Sequence, residues 1–552
     1  MTFTSPWPHL DIPKCNILSY LYPPGTIPSE QPVWINASRP SDNLSPAQML
    51  SWIRRFAVGL DKLGVGEKEV ILVLSPNQIP VSIVYLAAAG SKRCFTGVNP
   101  IYTAPEVAHQ MKAIQAAVVL VHPSLLQTGL VAAKLANIPT DRIFSFSDNE
   151  EQAPTSLGVK DWRSILASET DANSWQWDSL QGDEAAQTTA VVNFSSGTTG
   201  LPKGVCITHY NLVANSAQAI VNESQGERGQ QKENWLAFLP LYHAYSQLFT
   251  INIACKLQVR VYIMPKFILE DFLRYIQKFK ITTIQLVPPV VVMMAKRSEM
   301  AKYDIGSVKS MVSGAAPLSS DLQNEVVSRF GVNLRQAFGM SETTCAGIMT
   351  PRAAKNVVGS IGCLLPNTEA RLVGEEGEEI TKDGQPGELW LKGPQVMLEY
   401  WRNGEATRDS LSEGWLKTGD VALTREGRWW IVDRKKELIK VNGLQVAPAE
   451  LEAVLLEHPD VTDAAVVGIM IHNEELPRAY VVLQESAKGK TTSAEIQAFV
   501  AGKVAKHKQL SGGVQFIDEV PKLASGKIVR KVLKEWARSD TKVVEGIVKA
   551  RL

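Results

Sequence analysis

The stretch SSGTTGLPKGV at residues 195–205 decides the fold, because small, hydroxylated and glycine residues closed by a lysine suit a bound polyphosphate. Glycines bring backbone N–H groups close to an anion, Ser and Thr hydroxyls add donors, and a lysine supplies a point charge. Ser195, Ser196, Gly197, Thr198, Thr199, Gly200 and Lys203 are therefore candidate phosphate ligands. The apolar run before them, residues 190–194 (AVVNF), reads as a strand, so the loop stands at a strand end, where α/β proteins place ligands. A Walker A loop has Gly immediately before its Lys and Ser or Thr after it, whereas Lys203 lies between Pro202 and Gly204. The nucleotide reading survives; the P-loop NTPase reading does not. For this string alone a ligand-free Gly/Ser/Thr turn is the bland alternative.

Working outward, residues 52 to about 240 alternate strand-like runs such as EVILVL (69–74) and AVVLV (117–121) with helix-length stretches such as 80–89. That alternation predicts βαβ units and a largely parallel sheet. A second series, including 283–287 and 308–313, predicts another α/β lobe. Between 357 and 432 the texture turns to short strands with Gly-containing turns, as in a small antiparallel β-barrel. Residues 433–440 (DRKKELIK) are charge-dense, 448–456 read as a helix, and the rest forms a small α+β domain. The expected division is 1–433 and 434–552, with a hinge in the charged stretch.

At 552 residues the chain exceeds one ordinary core. A formal net charge of +1 with scattered Lys and Arg leaves no footprint for nucleic acid, so small molecules are the expected partners. The six cysteines form no CxxC pair, which argues against a zinc site or a disulfide framework and for a reducing compartment. No transmembrane segment is expected, since the longest apolar run, 284–295, is short and holds two prolines. The N-terminus has prolines where a secretory signal needs an unbroken apolar stretch. The final residues Ala550, Arg551 and Leu552 repeat the small-basic-leucine chemistry of the SKL peroxisomal address, read by an import receptor; a frayed basic tail is the alternative.

Other segments carry candidate chemistry, each with a plain structural alternative. SGAAPL (313–318) would let a flat ring lie against backbone at Gly314 and Ala315. QAFGMSETT (336–344) places Glu342 after an aromatic-Gly turn, where a carboxylate could hold the Mg²⁺ that accompanies ATP. GWLKTGD (414–420) ends in Asp420, which could accept both hydroxyls of a ribose. PLYHAY (240–245) sets His243 among aromatics, and PKLASGKIVRK (521–531) offers Lys527 on a turn.

The ordered series SSGTTGLPKG, PLYH, SGAAPL, QAFGMSE, GWLKTGD, DRKKELIKVNG and PKLASGK resembles, over nearly the whole chain, the adenylate-forming superfamily of acyl-CoA synthetases, 4-coumarate:CoA ligases and firefly luciferases. PLYHAY and GLQVAPAELE make the 4-coumarate:CoA ligase-like branch the nearest in flavour. The resemblance implies ATP, Mg²⁺ and coenzyme A as cofactor and co-substrates. It also implies an α/β fold with a large N-terminal domain and a small mobile C-terminal one. Ser195 to Gly200 with Lys203 would hold the β- and γ-phosphates, Ser341 and Glu342 the α-phosphate and the metal. Gly314, Ala315, Gln336, Ala337, Phe338 and Gly339 would frame adenine, Asp420 and Arg434 the ribose. Lys527 would bridge carboxylate and α-phosphate. In a second step, after rotation about Lys436, Lys440 and Gln445 would assist catalysis, Lys266 and Gly443 would meet coenzyme A, and His243 would gate the thiol tunnel.

The implied acyl pocket comprises Tyr245, Ser246, Ala316, Ala337, Met340, Cys345, Ala346 and Met349, none charged, so the acid should be hydrophobic apart from its carboxylate. Tyr245 could hydrogen-bond a phenol, while Met340 and Met349 suit an alkyl chain equally. Three departures from the family stand out: Asn442 in place of a CoA-binding lysine, Ser341 in place of Thr, and Ala337 in place of Gly. Two competing readings remain at this stage. One keeps adenylation with another acceptor, a free-standing carrier protein or oxygen, since the chain ends too soon after Lys527 for a fused carrier. The other is a nucleotide-binding relative without catalysis, against which the intact Lys203, Glu342, Asp420 and Lys527 speak.

Overall fold

The helix Ile79–Gly90 (IPVSIVYLAAAG) is buried at every position, as its lack of a polar face requires. Sheets that share one hydrophobic core enclose it, with Ile71, Phe95 and Ile207 in that core beside Leu236, Ile284 and Met311. The computed structural model describes residues 2–149, 158–195, 202–224, 233–354, 357–441, 444–471, 474–523 and 526–549.

The first sheet has eight strands in the order Glu399–Tyr400, Lys203–Thr208, Thr189–Ser195, Cys94–Val98, Val70–Leu74, Val118–Val121, Ile143–Ser145 and Lys160–Asp161. From Thr189–Ser195 onward the pairings are parallel, as the alternating pattern predicts. The two strands before it are antiparallel. The phosphate-loop candidate therefore joins two arms of a hairpin, with Lys203 opposite Ser195, and does not run from strand to helix. This is the backbone counterpart of the missing Walker pattern.

The second sheet has nine strands, of which Asn333–Phe338, Ser310–Ser313, Thr283–Leu286, Asn234–Ala237, Arg260–Ile263 and Trp34–Asn36 form its parallel middle. Trp34–Asn36 comes from near the N-terminus, so the two lobes interleave in sequence. The apolar run at 284–295 is split by its prolines into the end of one strand and the helix Pro288–Lys296. Among the described residues no helix is long and apolar enough to cross a membrane.

The third unit is antiparallel as expected and includes Glu369–Val373, Gly387–Lys392, Trp415–Arg425 and Arg428–Arg434. Its six strands run from Phe3–Thr4 to Trp415–Arg425, on which both Leu411–Ser412 and Arg428–Arg434 pair, and Trp429 of the last bridges Gly362 and meets Phe3 edge-on at 5.4 Å, so the sheet curls round one core. Beyond it, the long hairpin Val461–Ile471 with Glu474–Leu483 carries helices Pro448–Glu457, Ser493–Ala501 and Arg530–Lys549 around cores of its own. This C-terminal unit docks on the rest. Lys296 donates to the carbonyls of Leu456 and Val461 at 2.7 and 2.5 Å. Gly526, at φ +79°, comes so close to Pro289 that a Cβ would lie 3.0 Å from its ring.

Candidate active site

Three cavities converge on one point of the backbone. A cavity of about 930 Å³ is lined by Ser195, Lys203, Ser341, Glu342, Arg434, Lys436 and Lys527. A cleft of about 450 Å³ is lined by Ala315, Ala316, Gln336, Phe338, Asp420, Arg434 and Lys527. A slot of about 40 Å³ is lined by Tyr245, Gly314, Ala337, Met340, Cys345, Ala346 and Met349. Ala315, Gly339 and Met340 line all three, and Lys527 stands where the two larger ones meet. A polar cavity, a cleft walled on one side by Phe338 and an apolar slot thus share one backbone junction, with the Lys527 ammonium where the first two meet.

Local structure explains the junction. Gly339 ends the strand Asn333–Phe338 so close to the following turn that a Cβ would fall 1.6 Å from the carbonyl oxygen of Cys345. Ala315 adopts φ +70°, a conformation an L-residue holds only where its surroundings impose it, and it does so at the junction itself. Asp420 and Arg434 face each other in register across two antiparallel strands, and the guanidinium Nε lies 3.4 Å from the Asp420 carboxylate. Asp433 accepts from the backbone N–H groups of Arg434 (2.7 Å) and Ala449 (2.9 Å), which ties the last strand of the third unit to the first C-terminal helix.

Burial shapes the charges here. It pushes the Asp420 carboxyl up to about 6, against the pull of Arg434 and Lys527. Burial, helped by Arg434 and opposed by Asp420, Glu437 and Glu342, brings the Lys527 ammonium down to about 8. Burial and then Lys527 lower His243 to about 4, so its imidazole is neutral near pH 7. His243 accepts from the Tyr245 backbone N–H at Nδ1 (3.3 Å) and lines both the large cavity and the slot.

Several expected residues lie elsewhere. Lys440 and Gln445 are exposed, paired with each other across the hairpin Ile439–Val441 and Leu444–Val446. The Lys440 backbone N–H donates to Glu475 at 2.9 Å and the Gln445 side chain bonds Glu375, and neither lines any of the three cavities. Lys266 is exposed and lines none of the three. Ser246 is a correction: it follows Tyr245 on a helical turn, so its side chain points away from the slot and its hydroxyl pairs with that of Thr250 at 3.2 Å. Ala316 faces the cleft and Gly314 the slot, the reverse of expectation, because Ala315 between them, at φ +70°, turns the chain. Ser196, Gly197, Thr198, Thr199, Gly200, Asn442, Gly443 and the tail 550–552 lie outside the described residues.

The sequence reading missed Tyr400, Trp401, Arg402, Lys417 and Thr418 in the large cavity and Ala244 and Phe249 in the slot. For Tyr400 to Arg402 the only signal was the adjacent aromatic pair in LEYWRN, which by itself reads as core, whereas Lys417 and Thr418 stand inside GWLKTGD beside Asp420. Tyr245 is also not placed as expected for phenol recognition, since its hydroxyl already donates to the Val312 carbonyl at 2.8 Å.

A Mg²⁺ fits the residues present. Among the described residues no cluster of three His, Cys, Asp or Glu could cage a metal, whereas Glu342 is a buried carboxylate in the same cavity as Lys203. One carboxylate plus substrate phosphates is how Mg²⁺ is usually held with a nucleotide.

Comparison with known proteins agrees with this geometry. A family model described as AMP-binding enzyme matches residues 29–401, and one described as AMP-binding enzyme C-terminal domain matches 450–527. The chain is 34% identical over 536 residues to the phenylacetyl-CoA ligase epaB of Aspergillus niger, covering 95% of this chain and 97% of that protein. It is 34% identical over 491 residues to 4-coumarate–CoA ligase 1 of Arabidopsis thaliana, covering 87% and 85%. In fold it is similar to ATP-bound MatB from Rhodopseudomonas palustris, with TM-score 0.81, 24% identity and 97% and 100% coverage. A benzoate CoA ligase from Burkholderia xenovorans LB400 gives TM-score 0.78 at 22% identity, with 94% and 99% coverage.

Proposed function

Since the chain belongs to the AMP-binding enzyme family and is an AMP-forming ligase that joins a hydrophobic carboxylic acid to coenzyme A at the expense of ATP, we propose that its three cavities divide that reaction among them. The acid lies in the slot with its carboxylate toward Lys527, the adenosine in the cleft against Ala315 and Phe338, with its ribose hydroxyls on Asp420, and the triphosphate in the large cavity. A carboxylate oxygen bonds to the α-phosphorus while the bond to the bridging oxygen breaks and pyrophosphate leaves. Lys203 and the 195–200 loop receive the charge that grows on the leaving group, and Lys527 and Ser341 that on the α-phosphate. A Mg²⁺ on Glu342 would screen the phosphate charge in this step. The thiol of coenzyme A then attacks the acyl carbon, and AMP departs with the bonding pair.

The single observation that carries this reading is the convergence of Lys527, from the C-terminal unit, with Lys203, from the first sheet, on one cavity. Lys527 fills the route a thiol would take, so the second step needs the unit 434–552 to rotate about Lys436. That motion would bring Lys440, Gln445 and Gly443 inward, with Lys266 and His243 on the thiol path. Incubation with ATP, Mg²⁺, coenzyme A and a panel of aryl and alkyl acids, followed by mass spectrometry, tests it. AMP and an acyl-CoA are expected. Adenylate without thioester would point to another acceptor, and no product from any acid would sink the reading.

The ARL tail supports import into peroxisomes. Removing residues 550–552 from a fluorescent fusion should disperse it, and unchanged punctate targeting would refute the address.

A further inference from the structure

Tyr400 belongs to none of the seven motifs, yet it touches two of them. Its ring is buried, its hydroxyl donates to Glu342 Oε1 at 2.8 Å, and the Lys203 ammonium stands 5.0 Å from the ring centroid, within cation–π range. The backbone imposes this position. Tyr400 pairs in register with Val205, the Trp401 N–H donates to the Gly204 carbonyl at 2.7 Å, and the Met397 N–H donates to the Glu342 carbonyl at 2.8 Å. The short segment around Tyr400 is thereby pinned to the phosphate-loop hairpin on one side and to the metal-carboxylate turn on the other. With Oε1 taken, Glu342 Oε2 accepts no hydrogen bond among the described residues.

We propose that Tyr400 is a positioning residue for adenylation: its hydroxyl fixes the Glu342 carboxylate so that Oε2 is left for the nucleotide-bound cation, and its ring steadies the Lys203 ammonium over the triphosphate. The inference rests on the adenylation reading above. The two functions sit on different atoms of one side chain, so they separate by mutation. Y400F removes the hydroxyl and keeps the ring; Y400L removes both. A tyrosine that merely covers a buried carboxylate would alter thermal stability and leave the cation dependence alone.

The test is calorimetric titration of ATP into wild type, Y400F and Y400L without any acid, at a series of Mg²⁺ concentrations and with none, alongside adenylate formation under the same conditions. For Y400F the Mg²⁺ half-saturation of ATP binding and of adenylation should rise about tenfold, as expected when a partner orienting a metal ligand is lost, while Mg²⁺-free ATP binding equals wild type. For Y400L the Mg²⁺-free binding should weaken as well, by several-fold, as Lys203 loses its ring. Y400F with wild-type Mg²⁺ dependence, or with a loss of rate equal at every Mg²⁺ concentration, overturns the inference while wild-type adenylation still stands. A wild type that binds no ATP overturns the adenylation reading and this one with it.

Discussion

Two parts of the C-terminal unit, the Lys527 turn and the hairpin of Lys440 and Gln445, meet opposite surroundings. The first is half-buried at the junction of two cavities and held by a glycine against Pro289; the second is exposed and bonded to Glu375 and Glu475. Both carry residues that the family resemblance assigns to catalysis. One rigid arrangement serves only one of them, so on the proposed reading the Lys527 face serves adenylation and the Lys440 face the transfer to coenzyme A.

The comparison breaks most sharply at Lys527. K527A should lower adenylate formation by about a thousandfold, as expected for an aimed charge in a water-poor site, and should leave transfer from supplied acyl-adenylate to coenzyme A within a few-fold of wild type. Equal loss in both half-reactions, measured separately by mass spectrometry, would mean that the two faces are not divided by step. Next comes the hinge. K436P fixes one backbone dihedral where rotation is required, so thioester formation should fall by roughly a hundredfold while adenylation persists. Unchanged overall turnover would remove the rotation from the account.

A smaller effect sharpens the electrostatic half of the contrast. Adenylation needs Lys527 protonated and Asp420 ionised, so kcat/KM should fall as pH rises through about 8, where the lowered ammonium loses its proton. It should fall again as pH drops through about 6, where the raised carboxyl gains one. K527R should abolish the alkaline limb, since a guanidinium stays charged there; a pH–rate curve with that limb unmoved would assign it elsewhere. The smallest change is Y245F. Losing one buried hydrogen bond to the Val312 carbonyl should cost about 1 kcal/mol of stability, read by denaturant melts, with acid selectivity unchanged. A shift in preference away from hydroxylated aryl acids would instead restore phenol recognition to Tyr245.

Legibility in the sequence followed locality. The strand at Val70–Leu74 and the all-buried helix Ile79–Gly90 were readable because each signal lies within a dozen residues. Lys203, Glu342, Asp420 and Lys527 were readable as motifs, though nothing local says they share a cavity. Tyr400 was invisible because its partners, Glu342, Lys203 and Val205, lie 58 or more positions away in the chain. Ser246 misled because pocket membership depends on which way a residue points within a helical turn, not on its neighbours in sequence.

What the sequence determined by itself was the set of chemical groups: a Gly/Ser/Thr-rich loop closed by Lys203 without the Walker pattern, read from residue type and spacing, and an apolar acid site and a late lysine, implied by the family resemblance. What only the tertiary structure decided was their company. Strand pairing set Asp420 against Arg434 and Tyr400 beside Lys203, and docking of the C-terminal unit set Lys527 in the cavity wall while leaving Lys440 in solvent. The reason is physical: burial, which moves Lys527 and Asp420 toward neutrality, and the charged neighbours that largely oppose it are properties of distant segments brought together and are encoded at no single position.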